Sequence, residues 1–482
     1  MRQKDLNFLD RNEFNYSPSK EVVEALKNFD INKLCFYTRI YDEGKKSILS
    51  VFLSELYDID ETQVLLGYGG EDILKQAVHY FLTEEDGNKT MLIPKFSWWY
   101  YKSIADEVNG RTLQYPLYED GNTFKYDFAA MKDMIQKENP KILLLASPNN
   151  PTGNGLTPEE LDELLAEVPA KTKILIDEAY ASFVSTDTRY IKELVNKYPN
   201  LIISRTLSKF YGLPGLRMGF GFMSKELEKF SKYSNKYLGY NRISEDIAIA
   251  ALKSDAHYRN IAKLMNEDRA RYEKEIGVLP GFKVYESVAN FILIKYPIAL
   301  KEALQKAFAE QSYKVKFMNE PDINTHLRIT LGRPYTEGEE VLLLDSDIVF
   351  DPQIVEKLLR SDKADVLALN RHELGAEEIK VIVDNEQKVV EISKVCSIPD
   401  AIGESIGIEK MSAAYTQALF RELEMMILSE GLDNIFYERA FERLIPQGYS
   451  FYVMDTTEFF SAELDTVEDF QQAQKLIPAS LY

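Results

Sequence analysis

Cysteine is nearly absent from this 482-residue chain, with Cys35 and Cys396 as its only two. They lie far apart with nothing resembling a ligand pair beside either, so neither a disulfide framework nor a zinc site is expected, and a reducing cytoplasm fits. Histidine is almost as scarce: His79, His257, His326 and His372 are scattered through unrelated segments, which argues against triad or His-built metal chemistry. Positive charge is short as well. Lys and Arg number 57 against 77 Asp and Glu, a formal net charge of -20 at pH 7. A surface of that sign repels nucleic acid and anionic membranes, so any phosphate-bearing ligand has to be small and held by a local positive site. No window approaches the roughly 20 apolar residues of a membrane span. The opening MRQKDLNFLDRNEF also has no apolar stretch of the kind a secretion signal carries. Neither a membrane nor a nucleic acid is expected as a partner.

What is there is an alternation. From about residue 60 to 225, short apolar runs of strand length alternate with segments of helical period, the pattern of a mostly parallel sheet wrapped by helices in an α/β fold. The runs are Met91 to Ile93, Ile142 to Ala146, Ile174 to Ile176, Leu201 to Ile203 and Met218 to Phe222. Between them, Thr157, Pro158 and Glu160 predict a capped helix start, with Leu161, Leu164, Leu165 and Val168 as its apolar face. Past residue 240 the chain reads as mainly helical, then as strands at Asn290 to Lys295 and Leu327 to Thr330, a smaller α/β domain. Near 335–340 the pattern changes again, and Val341 to Leu344 reopens a buried strand. The length predicts two or three domains, and the pattern divides them as residues 1–40 (an arm belonging with the small domain), 41–235, 236–337 and 338–482.

Ligands of open α/β sheets collect outside the carboxyl ends of the strands, and four segments fall there. Gly69-Gly70-Glu71-Asp72 precedes an amphipathic helix bearing Ile73, Leu74, Val78 and Phe81, where backbone N–H groups can meet a phosphate. Ser147-Pro148-Asn149-Asn150-Pro151-Thr152-Gly153 follows the run ending at Ala146. Asp177 closes a strand otherwise suited to full burial, and a buried carboxylate calls for a cationic partner such as a protonated pyridine nitrogen. Lys209 stands in Ser204-Arg205-Thr206-Leu207-Ser208-Lys209, followed by Gly212-Leu213-Pro214-Gly215-Leu216-Arg217. Each segment alone reads as a turn or a solvated surface; together they point to one site.

In that order, SPNNPTG, IDEAY and TLSKFYGLPGLRMGFG resemble the fold-type I aminotransferases that depend on pyridoxal 5'-phosphate (PLP), most closely the histidinol-phosphate aminotransferase group. The resemblance spans roughly residues 5 to 335 and includes LDRNEFNYSPS, YDEGKKSIL, GGEDIL, SVANFILIK and LRITLG. It implies a large domain with a mostly parallel seven-stranded sheet and a small α/β domain. It also implies that Lys209 carries PLP as a Schiff base and, once released, moves the proton between Cα and C4'. Asp177 would hold the pyridinium proton, Asn150 and Tyr180 the phenolic oxygen. Arg217, Thr206, Ser208 and the backbone of Gly70 and Glu71 would hold the phosphate. Trp99 would stack on the ring, Arg328 would receive the substrate carboxylate, and Tyr41 would reach the neighbouring subunit's phosphate in a homodimer.

Two departures bear on substrate. Asn12-Glu13-Phe14-Asn15-Tyr16 stands where the family has Asn-Glu-Asn-Pro-Tyr, and an arginine of the strand before the last is replaced in Val315-Lys316-Phe317. The expected substrate is therefore a phosphorylated or otherwise anionic amino compound rather than histidinol phosphate itself, with 2-oxoglutarate and glutamate as the keto-acid pair. A PLP decarboxylase acting on a phosphorylated amino acid is the same-fold alternative. Residues 341–482 resemble the C-terminal half of a sugar-phosphate or phosphocholine type nucleotidyltransferase, a partial Rossmann-like segment. There Asp347 and Asp465 would bind magnesium. That family's glycine-rich nucleotide loop is missing, so a bifunctional aminotransferase and cytidylyltransferase is the weaker expectation, and the joint reads as a fusion or a deletion.

Overall fold

The computed structural model describes residues 7–464 apart from 41–42, 186, 333–339, 346, 376–377 and 433, together with residue 477; of residues 428–429 it describes the backbone only. The chain forms two compact units, Met1–Arg333 and Pro334–Tyr482.

The first unit is built on seven strands: β1 (Val64–Gly67), β2 (Thr90–Pro94), β3 (Arg111–Tyr115), β4 (Ile142–Ala146), β5 (Lys173–Asp177), β6 (Leu201–Thr206) and β7 (Gly219–Met223). Their order across the sheet is β1-β7-β6-β5-β4-β2-β3. β7 is antiparallel to both of its neighbours, while the pairings from β6 across to β3 are parallel. Sequence dictates this arrangement through burial on both faces. Leu143 and Leu145 of β4, Ile174 and Ile176 of β5, and Leu201 and Ile203 of β6 enter one core. The alternate residues Ile142, Leu144, Leu175 and Ile202 enter another, as the two-residue period of a strand requires. The capping box at Thr157 and Glu160 forms as expected and opens the helix Pro158–Ala166. Gly219 has to be glycine, because a Cβ there would lie 2.3 Å from the backbone carbon of Gly69.

A four-stranded antiparallel sheet, Lys283–Val284, Phe291–Lys295, His326–Thr330 and Lys316–Phe317, makes the smaller part. Ile261 and Met265 of the helix Asp255–Glu275 pack in its core. The N-terminal segment is fastened to this part: Asn7–Phe8 pairs parallel with Tyr313–Lys314, and Thr330 N donates to Leu9 O at 2.9 Å. Residues 10–13 are thereby laid beside the strand that carries Arg328.

In the second unit Gly403–Met411 pairs with Val341–Leu344, Val366–Asn370 and Lys380–Val383, all antiparallel. One pairing among the described strands is parallel, Val366–Asn370 with Tyr452–Asp455. A mainly antiparallel sheet departs from the Rossmann-like expectation. The turn between Lys380–Val383 and Val389–Ser393 is only long enough for a hairpin, whereas parallel neighbours need a longer crossover. Among the described residues, no helix is long and apolar enough to cross a membrane.

Candidate functional site

The carboxyl ends of β1, β2, β4, β5 and β6 surround a cavity of about 470 Å³. At its β1 edge the helix Gly70–Thr83 begins behind Gly69, which has φ 89° and offers no capping side chain. Its first-turn N–H groups are the kind that a phosphate satisfies. Arg217 lies against this terminus in a left-handed conformation, φ 52°. Its guanidinium donates to Tyr68 O at 3.1 Å, to Glu71 Oε1 at 3.0 Å and to Pro214 O at 3.0 Å. The fit is close enough that a Cβ on Gly69 would meet Arg217 Nη2 at 2.6 Å. Past β6, Thr206 Oγ1 donates to Ser208 Oγ at 2.9 Å and accepts from Ser208 N at 3.1 Å. Both hydroxyl-bearing residues line the same cavity.

Asp177 ends β5 at the floor, buried. Its Oδ2 accepts from Tyr101 Oη at 2.6 Å and its Oδ1 from Ala179 N at 3.0 Å. Burial pushes its carboxyl above the usual range, while these two donors and then Lys209 pull it back. Lys209 Nζ donates to Arg11 O at 3.1 Å and Asn12 O at 3.2 Å. Burial first, and the neighbouring Arg328 second, lower its ammonium to about 8. Tyr180 accepts from Asn12 Nδ2 at 2.9 Å, and burial raises its phenol to about 12. Arg328, 8% exposed, donates to Asn150 Oδ1 and Asp10 O, while its buried Nε has no hydrogen-bond partner among the described residues. Trp98 and Trp99 form the wall after β2. Trp99 is 70% exposed, as a ring facing an open mouth would be.

The fold thus brings Gly70, Glu71, Trp99, Asn150, Asp177, Tyr180, Thr206, Ser208, Lys209, Arg217 and Arg328 to one cavity. Tyr41 and Asp465 lie outside the described residues. Asp347 is exposed in the second unit, and among the described residues no cluster of three or more His, Cys, Asp or Glu could hold a metal ion. Two residues of the cavity escaped notice individually. Asn12, buried with φ 53°, bridges Tyr180 and Lys209; the sequence marked it only as the start of the motif that bears on substrate. Tyr101 stands two residues past Trp99 with no signal of its own.

These residues fit PLP. A helix N-terminus with Arg217 and two hydroxyls suits a phosphate ester, a buried carboxylate suits a pyridinium, and an amine lowered to about 8 suits an aldehyde. Fold and site together define a PLP-dependent α/β enzyme. The family model for aminotransferase class I and II matches residues 4–342, and the chain belongs to that family. Histidinol-phosphate aminotransferase from Ruminiclostridium cellulolyticum is 32% identical over 308 residues, 64% of this chain and 82% of the relative. That from Bacillus subtilis is 30% identical over 339 residues, 70% and 90%. The crystal structure of histidinol-phosphate aminotransferase from Sinorhizobium meliloti in complex with pyridoxal-5'-phosphate shares the fold. Its TM-score is 0.60 at 20% identity, covering 69% of this chain and 87% of that one. L-threonine-O-3-phosphate decarboxylase from Porphyromonas gingivalis shares the fold too, with a TM-score of 0.57 at 20% identity over 68% and 95%. The chain is a PLP-dependent aminotransferase of the histidinol-phosphate aminotransferase-like kind.

Proposed function

We propose that the enzyme transfers the amino group of a small anionic amino compound to a keto acid, with 2-oxoglutarate and glutamate as the exchanging pair. The observation that carries this reading is the cationic pair at the small-domain side of the cavity. Arg328 and Lys316 lie opposite each other in the register of neighbouring strands, and both line the cavity. The planar Arg328 fork suits a carboxylate in bidentate fashion, and Lys316 is a point charge for a second anion. A substrate with two anionic groups, as dicarboxylates and phosphorylated amino acids have, engages both.

PLP, when bound, supplies the aldehyde that takes the amine and the ring that accepts electrons from Cα. Arg328 fixes the carboxylate, so Cα is presented to Lys209. Because the Lys209 ammonium is lowered to about 8, a usable fraction is neutral near pH 7 and can take and return the Cα proton. Asn12 orients the Tyr180 hydroxyl. Tyr41 serves the phosphate of a second copy in a homodimer; the exposed Leu34, Phe36 and Tyr37 close to it in sequence support an interface there.

The test is turnover of PLP-loaded enzyme on a panel of amines, including histidinol phosphate and aminoethylphosphonate, with 2-oxoglutarate. Glutamate formation that needs the keto acid, with KM for the amine raised roughly tenfold or more in Arg328→Lys, is expected. Carbon dioxide release without a keto acid would make it a decarboxylase instead. For the second unit, Asp345 and Asp347 at the end of the strand Val341–Leu344 support a magnesium and nucleotide reading with Asp347 and Asp465 as ligands. Titration with CTP and Mg2+ checks it, and no heat of binding refutes it.

A further inference from the structure

We propose that Tyr101 is a positioning residue: its phenol fixes the Asp177 carboxylate so that the carboxylate meets the ring nitrogen of PLP. The inference rests on the reading that Asp177 faces that nitrogen. Each carboxylate oxygen offers about two acceptor positions. Tyr101 Oη occupies one on Oδ2 at 2.6 Å and Ala179 N one on Oδ1 at 3.0 Å, which leaves acceptor capacity for the cofactor. The backbone donor belongs to Asp177's own turn; the phenol comes from the helix Tyr100–Asp106 that follows β2.

That phenol is itself held. Tyr101 is 3% exposed, its helix is anchored through buried Ile104 and Ala105, and its ring meets Trp98 edge-on, with centroids 5.7 Å apart at 82°. Burial raises the Tyr101 hydroxyl well above its ordinary range, so it stays protonated and acts as a donor throughout the working range. A hydrogen bond from a neutral donor to a buried carboxylate favours the charged form, the form a pyridinium requires. One residue therefore ties the aromatic wall of the cavity to the group at the far end of the ring.

Tyr101→Phe keeps the ring packing and removes only the donor. The experiment measures dissociation constants of full-length PLP-free protein, wild type and Tyr101→Phe, for PLP and for 1-deazapyridoxal phosphate, whose ring carries carbon in place of nitrogen. Wild type is expected to prefer PLP. The variant is expected to lose roughly tenfold or more of its PLP affinity, the scale on which outer-shell partners act, and to bind the deaza analogue as wild type does. Equal weakening for both ligands would mean that Tyr101 only packs, and overturns the inference. A variant that prefers PLP as strongly as wild type overturns it as well, while leaving the reading of Asp177 intact. A wild type that binds both ligands alike overturns both.

Discussion

Replacing Lys209 by Met in the PLP-free protein should make it more stable near neutral pH, because the folded state holds an ammonium where it is poorly solvated. The group falls from its ordinary 10.5 to about 8, and at ~1.4 kcal/mol for each pH unit the folded protein gives up on the order of 3 kcal/mol. Since the unfolded chain keeps this proton between about 8 and 10.5 while the folded one releases it, stability rises with pH across that window. The penalty is complete below it. Methionine also forfeits the hydrogen bonds to Arg11 O and Asn12 O, at about 1 kcal/mol each. A net gain on the order of 1–2 kcal/mol is expected at pH 7. Urea unfolding of both proteins from pH 6.5 to 9.5 is the assay. The lysine penalty should shrink to about 1 kcal/mol by pH 9.5, moving the difference toward the wild type. A variant no more stable at pH 7, or a difference independent of pH, would refute the claim that burial sets the state of this amine.

Two further outcomes follow from the same packing. Glu178→Ala leaves Arg205, 4% exposed and bonded to Glu178 at 3.0 Å, buried without its counter-ion. It should cost about 3–5 kcal/mol in urea unfolding, and a loss under about 1 kcal/mol would show the pair to be dispensable. Gly69→Ala puts a Cβ 2.6 Å from Arg217 Nη2 at φ 89°. PLP affinity, read by tryptophan fluorescence, should fall roughly tenfold or more, a measure of displacing the arginine and straining the turn.

The central strands were legible because a parallel strand buried on both faces has to be a continuous apolar run, as Ile142–Ala146 and Lys173–Asp177 are. The edge strand Arg111–Tyr115 was not. Among the described residues it has a strand partner on one side only, and it is exposed at Arg111 and Gln114 and half-buried between them, so no apolar run marks it. The second unit misled for a related reason. Val341–Leu344 has the composition of a buried central strand, yet its residues are half-buried or exposed and its partner runs antiparallel. Composition marked a strand there, but neither its depth nor the direction of its partner.

What the sequence determined by itself were the local devices. These are the glycine pair before a helix, the cap at Thr157, the carboxylate closing an apolar strand, and a lysine and an arginine eight residues apart around a glycine-rich turn. Each works through backbone chemistry within a few residues, so each could be read in place. Only the tertiary structure decided which distant groups meet. Tyr101 reaches Asp177 across 76 residues of chain, and Asn12 reaches Tyr180 across 168. These contacts depend on strand order in the sheet and on the N-terminal segment being fastened beside Thr330. No local pattern encodes them, because the side chains that meet are brought together by packing of elements whose spacing along the chain is arbitrary.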